Sequence, residues 1–145
     1  MFHHKHLDVH QREREGIVIL DLKGKLVLGG GDIALRDFVQ GLLDGGSRKL
    51  ALDLAQVSEI DTAGNGVLLF ISAEYGKAGG KLVLFNIAHS HGKLYEMARL
   101  ETVIEIYRDE LDAINSFFPD RATAHYDILE YVESQPPHED KNHKT

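Results

Sequence analysis

The stretch Ile60-Asp61-Thr62-Ala63-Gly64-Asn65-Gly66 sets one hydroxyl between a carboxylate and two glycines, directly before the apolar run Val67-Leu68-Leu69-Phe70-Ile71. A threonine in a loop at a helix start is accessible, and its hydroxyl can carry a phosphate. That phosphate is expected to sit on unpaired backbone N–H groups at the positive end of the helix dipole. Asp61 and Thr62 are also good helix-capping residues, so a capped helix start with close-packing glycines is the plainer account of the same letters. The apolar run decides for more than a cap. It wraps apolar side chains around more than one face; one face serves a sheet, and the rest must meet another layer or a partner.

Other residue sets with chemical potential fall away. The chain has nine histidines and no cysteine. His3, His4 and His6 lie near the start, and His89-Ser90-His91 falls at a turn before a helical pattern. Neither has the HExxH or comparable spacing of a zinc site. Gly29-Gly30-Gly31 is followed by Asp32, whereas a phosphate loop needs Gly-Lys-Ser/Thr. It reads as a strand-to-helix turn. No Gly-x-Ser-x-Gly elbow occurs, and Asp109 with Glu110 reads as capping and solvation. No metal, no cofactor and no catalytic residue are expected. An enzyme would need a converging polar pocket that these letters do not display.

The elements that position the loop follow from periodicity. Ile17–Leu20, Leu26–Leu28 and Leu82–Phe85 are short apolar runs, and Leu50, Leu52 and Leu54 alternate. These predict strands, the continuous runs being covered on both faces. Leu7 with Val9 predicts a polar edge strand, making the opening hairpin-like. Val103, Ile104 and Ile106 predict a weak late strand. Leu35, Phe38, Val39 and Leu42 form one helical stripe, with Asp32 as its N-cap and Gly45-Gly46 as its stop. Val67, Phe70, Ile71 and Glu74 predict the face of a second helix, ended by Gly79-Gly80. Leu94, Met97 and Ala98 mark a third, and Asp109 caps a fourth carrying Leu111, Ile114 and Phe118. Strand–helix alternation implies crossover connections and a mixed, mostly parallel sheet.

The chain has 145 residues, 43% of them hydrophobic, enough for one core. Residues 1–118 are read as one domain, 119–135 as an added helix (through Tyr126, Leu129 and Tyr131-Val132), and 136–145 as a disordered polar tail. No apolar run approaches the roughly 20 residues of a membrane helix, and no signal peptide is visible. A soluble cytoplasmic protein without membrane insertion is expected. A net charge of −7 argues against direct DNA binding by a broad basic face.

The motif around Thr62, with Leu52-Asp53-Leu54 before it and Gly79-Gly80-Lys81-Leu82-Val83-Leu84 after it, resembles the STAS domain of bacterial anti-sigma factor antagonists. Lys93–Leu100 and Val103–Tyr107 are similar to that family's third helix and last strand. The resemblance spans roughly residues 7 to 118. It implies an α/β STAS fold, with a mixed sheet of about 4–6 strands and about four helices. It also implies that Thr62 is the phosphoacceptor for a Ser/Thr kinase that is itself the anti-sigma factor. The unphosphorylated chain would bind this kinase, the phosphorylated chain would release it, and a PP2C-type phosphatase would reset it. Asp61, Thr62, Ala63, Gly64, Asn65, Leu68 and Leu69 would form the docking surface. Three positions depart from the family pattern: Thr62 for the commoner Ser, Ala63 for a frequent second hydroxyl, and Asn65 for Leu. The Asp-Thr-Ala-Gly version also resembles the STAS subunit of bacterial lipid-transport ABC systems, which docks on an ATPase without a phosphate.

Overall fold

The computed structural model describes residues 2–3, 7–87 and 100–121. Six strands form one sheet in sequence order: β1 (Phe2–His3), β2 (Leu7–Arg14), β3 (Ile17–Leu26), β4 (Lys49–Ile60), β5 (Lys81–Phe85) and β6 (Glu105–Tyr107). The first three pair antiparallel, and β3 through β6 pair parallel. The expected hairpin is present. Glu15 (φ 53°) and Gly16 (φ 82°) make a two-residue loop with both φ values positive, which matches the strand twist. The expected edge strand β2 lies one place inside the edge, because β1 pairs with it.

Two helices, α1 (Gly31–Asp44) and α2 (Thr62–Lys77), cross over one face of the sheet. Leu35 and Val39 of α1 and Val67, Leu68, Ile71 and Tyr75 of α2 meet Leu20, Leu22, Leu50, Leu52 and Leu84 in the larger core. The short α3 (Glu110–Asn115) covers part of the other face, where Ala113 and Ile114 join Ile17, Ile19, Ala51, Val83, Phe85 and Tyr107. The continuous apolar runs of β3 and β5 are therefore buried from both sides, as their sequence implies.

Four expectations are corrected. The α1 N-cap is Gly30 rather than Asp32. A Cβ at Gly31 would lie 2.1 Å from the Lys25 carbonyl oxygen, so the helix starts where the chain can touch β3. Asp32 sits in the first turn and accepts from the Gly30 N–H at 3.1 Å. The buried face of α2 is Gly64, Val67, Leu68, Ile71 and Tyr75, not Val67, Phe70, Ile71 and Glu74. Gly64 fixes this rotation, because its Cα packs on β3 and residues 68, 71 and 75 share its face. In α3, Asp109 caps as expected, accepting from the Asp112 N–H, and Ile114 is buried, but Leu111 is exposed. The late strand is Glu105–Tyr107, after a 3-10 turn at Leu100–Thr102; Val103 is exposed. The third expected helix at Leu94, Met97 and Ala98, His89, His91, the 119–135 helix beyond Arg121 and the 136–145 tail lie outside the described residues.

Candidate functional site

Leu26 of β3 and Ile60 of β4 stand in register at the same end of the sheet, so α1 and α2 start side by side there. Asp61 is the N-cap of α2. Its Oδ1 accepts from the Gly64 N–H at 2.9 Å, and its Oδ2 accepts from the Leu28 N–H at 3.0 Å in the β3–α1 loop. Burial pushes the Asp61 carboxyl up, but the N–H groups of Leu28, Gly64 and Ala63 outweigh it and hold the pKa below the usual carboxylate range. Asp61 is therefore ionised at neutral pH.

Thr62 is the first residue of the helix and is exposed. One expectation changes here. The N-terminal N–H groups of α2 are not all vacant for a phosphate, because Asp61 already accepts from Gly64. A phosphate on Thr62 would begin beside a carboxylate.

The expected docking residues divide by burial. Asp61, Ala63 and Asn65 are half-buried, and Thr62 and Leu69 (38%) are exposed. Leu68 is 0% exposed and belongs to the core. Gly64 is buried against β3, where a Cβ would lie 2.1 Å from the Leu26 carbonyl oxygen. Neither can present a side to a partner. Sequence reasoning missed Phe70 (43% exposed) and Leu28 (73% exposed), which with Ile33 place large apolar side chains in solvent on these helices and loops. No sequence signal singled out Phe70, because α2 is apolar nearly all round and periodicity does not say which of Leu68 and Phe70 is inside.

A second polar site was not foreseen. On the sheet face that α3 leaves open, Asp8, His10, Arg12, Asp21, Lys23, Asp53 and Gln56 line a hollow of about 780 Å³. Its sequence signal is the pair Asp21 and Asp53, which interrupts two apolar strands at facing positions. Much of its charge is internally paired. Arg12 donates to Asp21 at 2.7 and 3.0 Å and to Glu110 at 2.7 and 3.0 Å, and Arg14 adds 2.8 Å to Glu110. The network ties α3 to β2. Hydrogen bonds from Arg12 hold Glu110 below its ordinary pKa, and burial pushes Asp21 up, but Arg12 and its other partners bring it below. Burial, and then Asp21 opposite, raise Asp53.

The signs predict a pH signature. Asp53 holds its proton more tightly folded than unfolded, so its ionisation costs stability as pH rises through the window just above the ordinary carboxylate value. Asp53→Asn removes that cost and keeps a polar partner for Asn86. We expect it to be about 0.5 kcal/mol more stable than the parent at pH 7, with the advantage gone at pH 3. Urea titrations at both pH values check this; an equal difference at both would refute it.

The STAS domain family model matches residues 8–113. The chain matches no curated protein. Similar solved structures include an anti-sigma factor antagonist from Mycobacterium paratuberculosis, 15% identical, with a TM-score of 0.66 over 76% of this chain and 92% of that one. SpoIIAA in its unphosphorylated form is 14% identical, with a TM-score of 0.58 over 79% of this chain and 100% of that one. The phosphorylated form of SpoIIAA, a Bacillus cell fate determinant, is 18% identical, with a TM-score of 0.57 over 76% and 99%. At these identities the likeness is one of fold. Among the described residues no helix is long and apolar enough to cross a membrane.

Proposed function

Because this chain belongs to the STAS domain family, we propose that it works as an anti-sigma factor antagonist whose docking end is switched by phosphorylation of Thr62. One observation carries the reading: an exposed hydroxyl stands at the start of α2, on a helix that also turns Leu69 and Phe70 to solvent. Unphosphorylated, this end docks on an anti-sigma factor Ser/Thr kinase. The kinase transfers the terminal phosphoryl of a nucleoside triphosphate to Thr62 Oγ. The new O–P bond forms as the bond to the diphosphate leaving group breaks, and the hydroxyl proton passes to a base of the kinase. A PP2C-type phosphatase hydrolyses the ester and restores the docking form. In this cycle the chain is a substrate and a ligand, and supplies no catalytic group.

An affinity pull-down with mass spectrometry at Thr62 tests it. Thr62→Ala is expected to keep kinase binding and to lose the phosphate. Stoichiometric labelling of that variant would move the acceptor elsewhere, with Thr102 and Thr123 the next positions to examine. Capture of a transport ATPase with Thr62 unmodified would instead favour the phosphate-independent adaptor.

The docking face has its own test. Phe70→Arg is expected to weaken kinase binding at least tenfold, with the melting temperature within about 2 °C of the parent, since the ring is already partly in solvent. Phe70 is a cleaner probe than Asn65, which is half-buried with its Oδ1 turned inside. Unchanged affinity would put the interface on another face.

A further inference from the structure

Resting on that reading, we propose that Asp61 is a clasp between two loops, and that a phosphate on Thr62 opens it and frees the β3–α1 loop that carries Leu28. The geometry is specific. One carboxylate spans two elements, with Oδ1 on the Gly64 N–H at 2.9 Å in α2 and Oδ2 on the Leu28 N–H at 3.0 Å. The Asp61 N–H also reaches the Leu26 carbonyl, at 3.4 Å. The loop is held by its backbone while its side chain projects: Leu28 is 73% exposed. Gly29 follows with a φ of 88°, a conformation that glycine adopts without strain, so the loop has a ready pivot next to the held amide.

A phosphate changes the competition at this point. It brings roughly −1.5 to −2 charge and three acceptor oxygens to the residue next to Asp61. The N–H groups of Ala63 and Gly64 lie at the positive end of α2, where the more highly charged anion is favoured. The two anions repel, and the one displaced is the carboxylate that also holds Leu28. Phosphorylation then acts twice: it puts charge on the docking end, and it releases an apolar side chain from a fixed position beside it. The regulation is built into one residue, with no rearrangement of the sheet.

Backbone amide exchange by NMR reads the clasp directly. Phosphothreonine is installed at position 62 of the full chain during synthesis, so no kinase is needed. The Leu28 amide is expected to exchange at least tenfold faster than in the unmodified chain, while the Leu52 amide in β4 is unchanged. Asp61→Ser, with Thr62 unmodified, keeps a capping oxygen for Gly64 but lacks the second one. It is expected to speed Leu28 exchange by a similar factor at a nearly unchanged melting temperature. Leu28 protection unaltered by the phosphate overturns the proposal, and so does protection unaltered in Asp61→Ser. A failure of kinase binding would count against the function proposed above and would leave this measurement readable.

Discussion

Thr62→Glu is expected to fold with an unaltered melting curve and to bind the kinase about a hundredfold more weakly. The two halves have separate physical origins. In the free protein the side chain at position 62 is exposed, so a carboxylate there stays hydrated. Its gain from the helix dipole is small, because the Asp61 carboxylate already sits at this helix start and takes the Gly64 N–H. In the proposed complex the same group would be buried against a partner surface that accepts a neutral hydroxyl. An unpaired charge in such a place costs several kcal/mol, and about 2.7 kcal/mol is already a factor of 100 in affinity. Calorimetric titration against the kinase, with a melting curve for each variant, separates the halves. Near-native affinity of the genuinely phosphorylated chain would end the interference account.

The second large effect falls on stability. Gly64→Ala is expected to lower the unfolding free energy by about 2 kcal/mol. An added Cβ at Gly64 would lie 2.1 Å from the Leu26 carbonyl oxygen and 3.1 Å from Ile60 Cγ2. The first obstacle is backbone, which cannot swing aside, so α2 must lift from β3. Overpacking of this kind costs about 1–3 kcal/mol and sometimes more, and the better helix propensity of alanine offsets only about 1 kcal/mol. Gly66→Ala is the control. Nothing lies within 4 Å of its added Cβ, so the variant should gain up to about 1 kcal/mol from propensity alone. Urea unfolding of both variants decides: equal midpoints would mean that Gly64 does not set the approach of α2 to the sheet. Gly64→Ala is also expected to disturb binding, because the rotation of α2 determines what it turns to solvent.

The motif around Thr62 was legible because it is local. An Asp, a hydroxyl and a small residue before an apolar run make a capped helix start wherever they occur, and Asp61 caps α2 as those letters require. Most strands were legible for the same reason: a run such as Leu82–Phe85 has no polar position to give to water, so both its faces must be covered. The Leu26–Leu28 run was not a strand of its own, because β3 extends from Ile17 and ends at Leu26, and Leu28 is in the loop. The stripe of α1 through Leu35 and Val39 was also correct, because there a narrow apolar face has only one way to meet a core. The stripe of α2 was misjudged at two of its four positions, with Leu68 and Tyr75 buried in place of Phe70 and Glu74. That helix is apolar nearly all round, so periodicity alone could not say which of Leu68 and Phe70 is inside.

The polar hollow shows the other boundary. Asp21 and Asp53 lie 32 positions apart in the chain, and only the parallel pairing of β3 with β4 sets them opposite each other. Arg12 and Glu110 meet only because α3 folds back over the open face.

The amino-acid order on its own thus settled the alternation of strands and helices, the hairpin opening, the Asp61 and Asp109 caps and the position of the Thr62 hydroxyl at a helix start, since each follows from contacts among near neighbours. Tertiary structure alone settled which side chains around that hydroxyl face solvent. It did so through a backbone-to-backbone approach, Gly64 against the Leu26 carbonyl, which rotates Leu68 into the core and leaves Phe70 in water. It also placed the Asp61 carboxylate across a gap of 33 residues, onto the Leu28 N–H. No local pattern encodes either one, because both depend on where a distant strand happens to end.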